Sequence, residues 1–251
     1  MGRRAIGVDE PGRWVFNRLA IDYRERPGYP PSLVDRLAAL AGATGRVVDL
    51  GAGTGLLALP LAARGLTVAA VEPAEAMLEL LRQQAGRRAV ECVHAAAEQT
   101  GLPGGEASLA ILADALQWVE PGSAGREAAR LLSAGGAVAV VEPRLCGSPF
   151  ADGMADLLAA ANPRARPRPA GRTAQFLDAA GARGRAVETF LHEETLDPPR
   201  LAAVLRSLSL VGPALGPGRL ALLLADAQAL ADHLGDAVWT REIRLTWGRR
   251  P

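Results

Sequence analysis

The chain has 251 residues, 49% of them hydrophobic, enough to build one large domain with a full core or a domain carrying a sizeable insertion. Its formal net charge is +1, and all 28 basic residues are arginine, so the strong basic excess of a nucleic-acid binder is missing. Two cysteines, Cys92 and Cys146, make neither a disulfide framework nor a metal-ligand spacing, and no long apolar run follows Met1-Gly2-Arg3-Arg4 as a signal peptide or spanning helix would require. The expectation is a soluble, cytoplasmic monomer or homodimer with no metal, no nucleic acid and no membrane partner.

In chain order, the first marked feature is Tyr23, Arg26 and Tyr29, a compact polar-aromatic set holding both tyrosines of the chain. Pro30-Pro31 suits a first helical turn. Leu33, Val34, Leu37 and Leu40 then recur at helical spacing until Gly42. Next comes Val47-Val48-Asp49-Leu50-Gly51-Ala52-Gly53-Thr54-Gly55-Leu56: a buried strand ending in an acid, a tight turn with glycines at alternate positions, and a helix N-terminus. Glycines without Cβ let a ligand press against main chain, and a helix start offers free N–H groups, which points to something nucleotide-like. A dinucleotide fingerprint would need its third glycine where Leu56 stands, and a phosphate-binding loop of the Walker type would need a lysine.

Leu66 to Val71 reads as a second buried strand ending in Glu72-Pro73, roughly twenty residues after the turn, where an acid can accept both ribose hydroxyls of an adenosine. A helix follows from Pro73-Ala74-Glu75-Ala76-Met77. Strands and helices alternate to Glu142, the pattern of a parallel sheet covered on both faces. From Pro143 the texture changes, and Asn162 to Pro169 reads as a surface crossover between a short helix over 150–161 and another over 173–180. Val187, Thr189, Leu191, Glu193 and Thr195 share one face of a strand. Asp197-Pro198-Pro199 caps a helix reaching Ser209, Pro217 starts another ending near Gly235, and Thr240 to Trp247 is a last strand. Of the histidines, His94 follows a strand, His192 lies on an edge strand and His233 near a helix end; none is assigned to chemistry.

The Asp-x-Gly-x-Gly-x-Gly run over Asp49 to Gly55 resembles the first motif of class I S-adenosylmethionine-dependent methyltransferases. His94 to Pro103 resembles the family's adenine-side loop, Leu109 to Pro121 its fourth-strand segment in the small-molecule group that includes trans-aconitate methyltransferase, and Arg130 to Glu142 its helix, Gly-Gly turn and fifth strand. Phe16 to Pro30 is similar to its N-terminal lid and Val238 to Arg249 to its last strand.

The resemblance implies an α/β fold, a doubly wound, Rossmann-like, mainly parallel sheet of seven strands in the order 3-2-1-4-5-7-6, with an N-terminal lid and a helical cap inserted after strand 5. The single domain would divide into a lid over 1–42, a cofactor core over 43–142, a cap and substrate region over 143–235 and the last strand over 236–251. The cofactor implied is S-adenosyl-L-methionine, held by Tyr23, Arg26, Asp49, Gly51, Ala52, Gly53, Gly55, Glu72, Pro73, Met77, Ala96, Ala97, Glu98 and Asp114. Arg26 would contact the methionyl carboxylate, and Met77 would either lie on the adenine face or belong to the core. Ala96 lacks the polar side chain often found there, which leaves adenine recognition to the Ala97 N–H.

Methyl transfer from a sulfonium is an in-line displacement, so positioning carries most of the work. Relatives often read Gln-Ala-Leu-His-Trp after the fourth strand, and here Gln117 stands at the usual histidine. A neutral amide is no base, so the acceptor is either already nucleophilic or deprotonated elsewhere. Asp114 either takes that proton or contacts the methionyl ammonium. Arg206 to Leu210 resembles a Ser-Arg-Ser-Tyr run facing the acceptor pocket, with Leu210 in place of the tyrosine. The acceptor is expected to be a small molecule; the alternative is a cofactor-binding relative that catalyses a non-methylating reaction such as cyclisation.

Overall fold

The computed structural model describes residues 11–43, 45–163 and 170–251. The segment Met1 to Arg4 and most of the Asn162 to Pro169 crossover lie outside those residues. Seven strands form one sheet: β1 (Arg46–Leu50), β2 (Thr67–Val71), β3 (Val90–Val93), β4 (Ala107–Ala113), β5 (Leu132–Leu145), β6 (Arg183–Thr195) and β7 (Val238–Arg249). Their order is β3-β2-β1-β4-β5-β7-β6, the order implied by the resemblance. The pairs β1–β2, β1–β4, β2–β3 and β4–β5 are parallel, while β7 runs antiparallel between β5 and β6.

The central strands are near-continuous apolar runs because both faces are covered. Val47, Val68, Leu109 and Ala139 enter one core with Leu33, Leu37 and Leu61. Val48, Ala69, Ala110 and Val138 enter the opposite core with Ala124, Leu131 and Phe176. The first core is covered by α2 (Pro31–Ala41), α3 (Ala58–Ala63) and α4 (Glu75–Ala85), and the second by α5 (Pro121–Leu131) and α7 (Arg172–Ala179). Pro31 opens α2, Pro121 follows a Glu120 cap that accepts from Gly122 and Ser123 N–H, and Asp197 caps α8 (Pro198–Ser207). In each case proline sits where its missing N–H has no helical partner to lose.

Beyond β5, α6 (Pro149–Ala161), α8 and α9 (Pro217–Leu234) close over a third core built on Phe150, Met154, Val204 and Trp239. The N-terminal helix α1 (Pro11–Tyr23) packs Leu19 and Ala20 on Ala74 and Met77 at the head of α4. Asn17 fastens this contact, its side-chain oxygen accepting the Ala76 N–H at 2.9 Å. No helix among the described residues is long and apolar enough to cross a membrane.

Three local expectations change. The chain does not enter a helix at Leu56: residues after Gly51 make successive turns, and α3 starts only at Ala58. The Gly-Gly pair is not a turn ahead of the fifth strand but a bulge inside it. Ala107 pairs with Leu132 and Leu109 with Ala137, so the β5 residues in between loop out, with Gly135 at φ 73°. Finally, β6 begins at Arg183, before the Val187 to Thr195 alternation, and β7 spans Val238–Arg249, as the resemblance implies and further than the Thr240 to Trp247 pattern shows, because Arg183 pairs with Arg249 and Thr195 with Val238. Exposed arginines at those ends hide the alternation that marks a strand.

Candidate functional site

The carboxyl ends of β1, β2 and β4 meet in one crevice, the place where doubly wound sheets bind ligands. At the end of β1, Asp49 is 2% exposed. Its Oδ1 has no hydrogen-bond partner. Burial, reinforced by the charge of Glu72, pushes its pKa up to about 7 against the weaker pull of the Ala58 N–H. A buried acceptor left unsatisfied at the base of the crevice is the kind of group a bound donor would complete.

The glycine turn that follows is wired more tightly than the sequence suggests. Gly51 and Ala52 N–H both donate to the Val71 carbonyl at 2.8 and 3.0 Å, Gly55 N–H to the Ala52 carbonyl at 2.9 Å, and Gly53 N–H to Glu72 Oε2 at 2.9 Å. These amides serve the turn, which corrects the expectation of a free N–H cradle at a helix start: α3 begins too late, and Glu72 reaches across to take the Gly53 amide. Two glycines have different reasons for being glycine. A Cβ on Gly55 would sit 2.3 Å from Leu81 Cδ1, so Gly55 lets the turn pack on α4. A Cβ on Gly53 would meet only Tyr23 Cε1 among the described residues, at an ordinary contact distance of 3.7 Å.

Glu72, at the end of β2, is 6% exposed, and its Oε1 accepts the Ala74 N–H at 2.8 Å. Met77 is 1% exposed beneath α1, beside Leu19 and Ala74, as a core residue would be. Ala96 closes a turn in which its carbonyl accepts the Gln99 N–H at 3.1 Å, Ala97 is 3% exposed, and Glu98 Oε1 holds the Glu120 N–H at 2.9 Å. The Pro73 carbonyl is 3.0 Å from His94 Nε2, and His94 Nδ1 is 3.3 Å from Glu75, so this histidine braces the loop.

At the end of β4, Asp114 adopts φ 46°, and it is the single non-glycine residue with positive φ among those described. Such a conformation costs roughly 1–2 kcal/mol for an L-residue and persists where the surroundings require it. Its N–H donates to the Val141 carbonyl at 2.9 Å, and its carbonyl accepts Gln117 Nε2 at 2.9 Å. The Asp114 Oδ2 lies 3.6 Å from Arg26 Nη1, and the Arg26 guanidinium stacks 4.0 Å from the centre of the Tyr23 ring. Burial raises the Tyr23 pKa, and the Asp114 and Glu72 charges add to it against the opposing pull of Arg26. Tyr23, Arg26, Glu72 and Asp114 thus share one electrostatic neighbourhood. Gln117 is turned so that its Oε1 is buried without a partner.

The lid over this crevice is held by residues that sequence reasoning had not connected. Arg26 Nε donates to Ser207 Oγ and Nη2 to the Ser207 carbonyl, both at 2.9 Å, while Arg206 Nε bonds Asp22 at 3.1 Å and Arg200 Nε the Glu25 carbonyl at 3.0 Å. Arg206 and Ser207, in the run that resembles one facing the acceptor pocket, tie α8 to the lid. Arg241 on β7 donates to the Pro27 and Gly28 carbonyls and lies 3.1 Å from His192 Nδ1. Phe16 meets the Trp118 ring edge-to-face at 5.0 Å. Only the arginine richness of α8 and β7 could have signalled this network.

Residues 48–140 match the sequence profile of the methyltransferase domain family. Over 219 residues, 80% of this chain and 79% of the relative, the chain is 32% identical to malonyl-[acyl-carrier protein] O-methyltransferase of Geobacter sulfurreducens. It is 42% identical over 118 residues to an uncharacterized methyltransferase of Mycobacterium tuberculosis; that match covers 47% of each, so the chain spans about half the length of this curated relative. A solved structure described as a type II methyltransferase from Anaeromyxobacter dehalogenans superposes with a TM-score of 0.69 at 26% identity, covering 89% of this chain and 97% of that one.

The chain belongs to the class I S-adenosylmethionine-dependent methyltransferases. S-adenosylmethionine is the cofactor of that family, and the uncrowded glycine at Gly53 beside the buried Glu72 carboxylate and a guanidinium–carboxylate pair fits it.

Proposed function

We propose that the chain transfers a methyl group from S-adenosylmethionine to a small-molecule acceptor, mainly by holding the two in line. The observation that carries this reading is the Arg26–Asp114 pair, 3.6 Å apart at the end of β4 under the lid. Its two charges are the complement of an amino-acid zwitterion: the planar Arg26 fork suits a carboxylate and Asp114 an ammonium. Admitting the methionyl group would exchange one ion pair for two. Glu72 would take the ribose hydroxyls, and Gly53 would let the cofactor lie against main chain. Asp49, Gly51, Ala52 and Gly55 would act by holding that turn in shape, with Pro73, Ala96, Ala97 and Glu98 shaping the adenine side.

When bound, the cofactor supplies a methyl group on a sulfide leaving group. Arg26, Asp114 and Glu72 would hold it so that an acceptor lone pair lies in line with the carbon–sulfur bond, whose electron pair would leave with sulfur. Gln117 offers no base, and Asp114 in this reading binds a cation, so the acceptor arrives already nucleophilic or loses its proton to water. The Geobacter relative is named for O-methylation, which keeps oxygen among the acceptor atoms. The test is mass spectrometry of a metabolite extract incubated with the enzyme and trideuteromethyl-labelled donor. A labelled product that requires the enzyme and disappears in Asp114→Ala supports the reading; turnover of the donor without any labelled product contradicts it.

A further inference from the structure

β6 is the last strand of the sheet, and among the described residues no strand pairs with its outer edge. From Ala186 to Thr195 it pairs residue for residue with Trp247 to Val238 of β7, so that stretch of edge is regular. An edge strand presents a row of backbone donors and acceptors to any chain that can pair with it, and proteins usually blunt one with charges. Here the middle of the exposed face is apolar instead. Along it stand Arg185, Val187, Thr189, Leu191 and Glu193, with Val187 53% and Leu191 66% exposed. Phe190 and Glu188 point the other way, Phe190 onto the core beneath α2 and Glu188 to Arg36 and Trp247.

We propose that β6 pairs antiparallel with β6 of a second copy of this chain, about a two-fold axis at Thr189, joining the two seven-stranded sheets edge to edge. The exposed row is its own complement in that register. Thr189 faces Thr189, Val187 of each copy faces Leu191 of the other, and Arg185 faces Glu193. The apolar pair and the ion pair are each made twice, and such cross-strand contacts are what stabilise an antiparallel seam. On the opposite face Glu188 meets Phe190 and Ala186 meets His192, so no like charges come together. Neighbouring registers lose this fit. Moved to Glu188, the axis sets that carboxylate against its own copy; moved to Phe190, it sets Val187 against Glu193 and Arg185 against Thr195. Arg185 stands in the bulge at the start of the strand, and its Nη2 bonds Asp178, which leaves other guanidinium N–H groups for Glu193. The crevice lies at β1, β2 and β4, with β5 and β7 between it and the edge, so the strand pairing leaves both copies' crevices uncovered. Dimerisation of this kind is independent of the reaction assigned above.

The test is sedimentation velocity of the full chain over a hundredfold range of micromolar concentrations, with far-UV circular dichroism reporting the fold of every variant. The wild type is expected to move from the mass of one chain to that of two as concentration rises. Arg185→Glu and Glu193→Arg each bring like charges together at both ends of the seam, and each should weaken dimerisation at least tenfold. Mixed in equal amounts, the two variants set opposite charges against each other again and should dimerise as the wild type does. Thr189→Cys should give a disulfide-linked dimer on mild oxidation. Thr195→Cys should not exceed the wild-type level, because its two copies would lie roughly 40 Å apart at ~3.4 Å per residue. The cross-link decides the matter where a charge variant loses its native dichroism. A wild type that stays monomeric throughout, a dimer indifferent to both charge variants, a mixture that does not dimerise, or equal cross-linking of the two cysteine variants each overturns the proposal.

Discussion

The two halves of the sheet are built to different rules. From β1 to β4 the strands are short and parallel, with β1, β2 and β4 buried and only the edge strand β3 half-exposed, and the loops at the ends of β1 and β2 are tied together by main-chain amides reaching Val71 and Glu72. From β5 onward the strands are long and partly exposed, β5 carries a bulge, and the helices α6, α8 and α9 form a core of their own. The first half is rigid and common to a family that shares one cofactor. The second carries the outer edge of β6 and the arginines that grip the lid, and there one member can differ from the next.

Gly55→Val should show the rigidity of the first half most severely. The new side chain would overlap Leu81 and Leu59 at a residue with φ 88°. Overpacking and left-handed strain together should cost more than about 3 kcal/mol, enough to remove most folded protein in a denaturant titration. Gly53→Ala supplies the contrast: with only an ordinary contact to Tyr23 in its way, stability should fall by only about 1–2 kcal/mol while cofactor affinity drops further. Equal damage from the two would erase the distinction between a packing glycine and a ligand-facing one.

Asp49 predicts a pH dependence. Its pKa rises from 3.8 to about 7 on folding, so the native state holds the proton more tightly than the unfolded chain. Its stabilising contribution is therefore full below pH 3.8 and is lost as pH climbs through about 7, an effect on the order of a few kcal/mol. Glu127 works in the opposite direction and in a lower window. Burial raises its pKa, but bonds from Arg130 and Thr100 outweigh that and bring it down to about 2, so its contribution is lost as pH falls from 4.5 through 2. Urea unfolding at pH 5 and pH 8 should show a decline in the wild type that is absent in Asp49→Asn. Parallel pH profiles for the two proteins would remove Asp49 as its source.

Glu72→Gln should cost about 2 kcal/mol of stability, since an amide cannot accept from both the Gly53 and Ala74 N–H groups as a carboxylate does. Its cofactor affinity should fall at least tenfold, measured by calorimetry. The smallest effect belongs to the second half: Arg206→Ala breaks a partly exposed bond to Asp22 and should cost about 0.2–1 kcal/mol, less at high salt. Cofactor release should nevertheless speed up in stopped flow, because α8 then holds the lid less firmly. Unchanged release would mean that Arg26 and Ser207 suffice.

The sheet order came from the family resemblance, while the strands and the crevice were legible in the residues because the evidence for them is local. Asp49 to Gly55 and Leu66 to Glu72 each carry their strand, turn and acid within a few residues, and hydrophobic runs reveal strands buried on both faces. The grip of Arg206 and Ser207 on the lid was not legible, since it joins residues about 180 positions apart through polar contacts that leave no periodic trace. The late start of α3 was hidden for another reason. Leu56 and Leu57 have helical character, but the amides before them are claimed by Val71 and Glu72, and only the folded neighbours decide that competition.

The central claim is that the turn around Gly53, with Glu72 and the Arg26–Asp114 pair, is a site for S-adenosylmethionine. Isothermal titration of the full chain with S-adenosylmethionine, S-adenosylhomocysteine and NAD tests it most directly. The account predicts micromolar binding of the first two, lost in Asp114→Ala, and no comparable binding of NAD, for which Leu56 stands where a glycine is needed. NAD binding as tight as that of S-adenosylmethionine would contradict it.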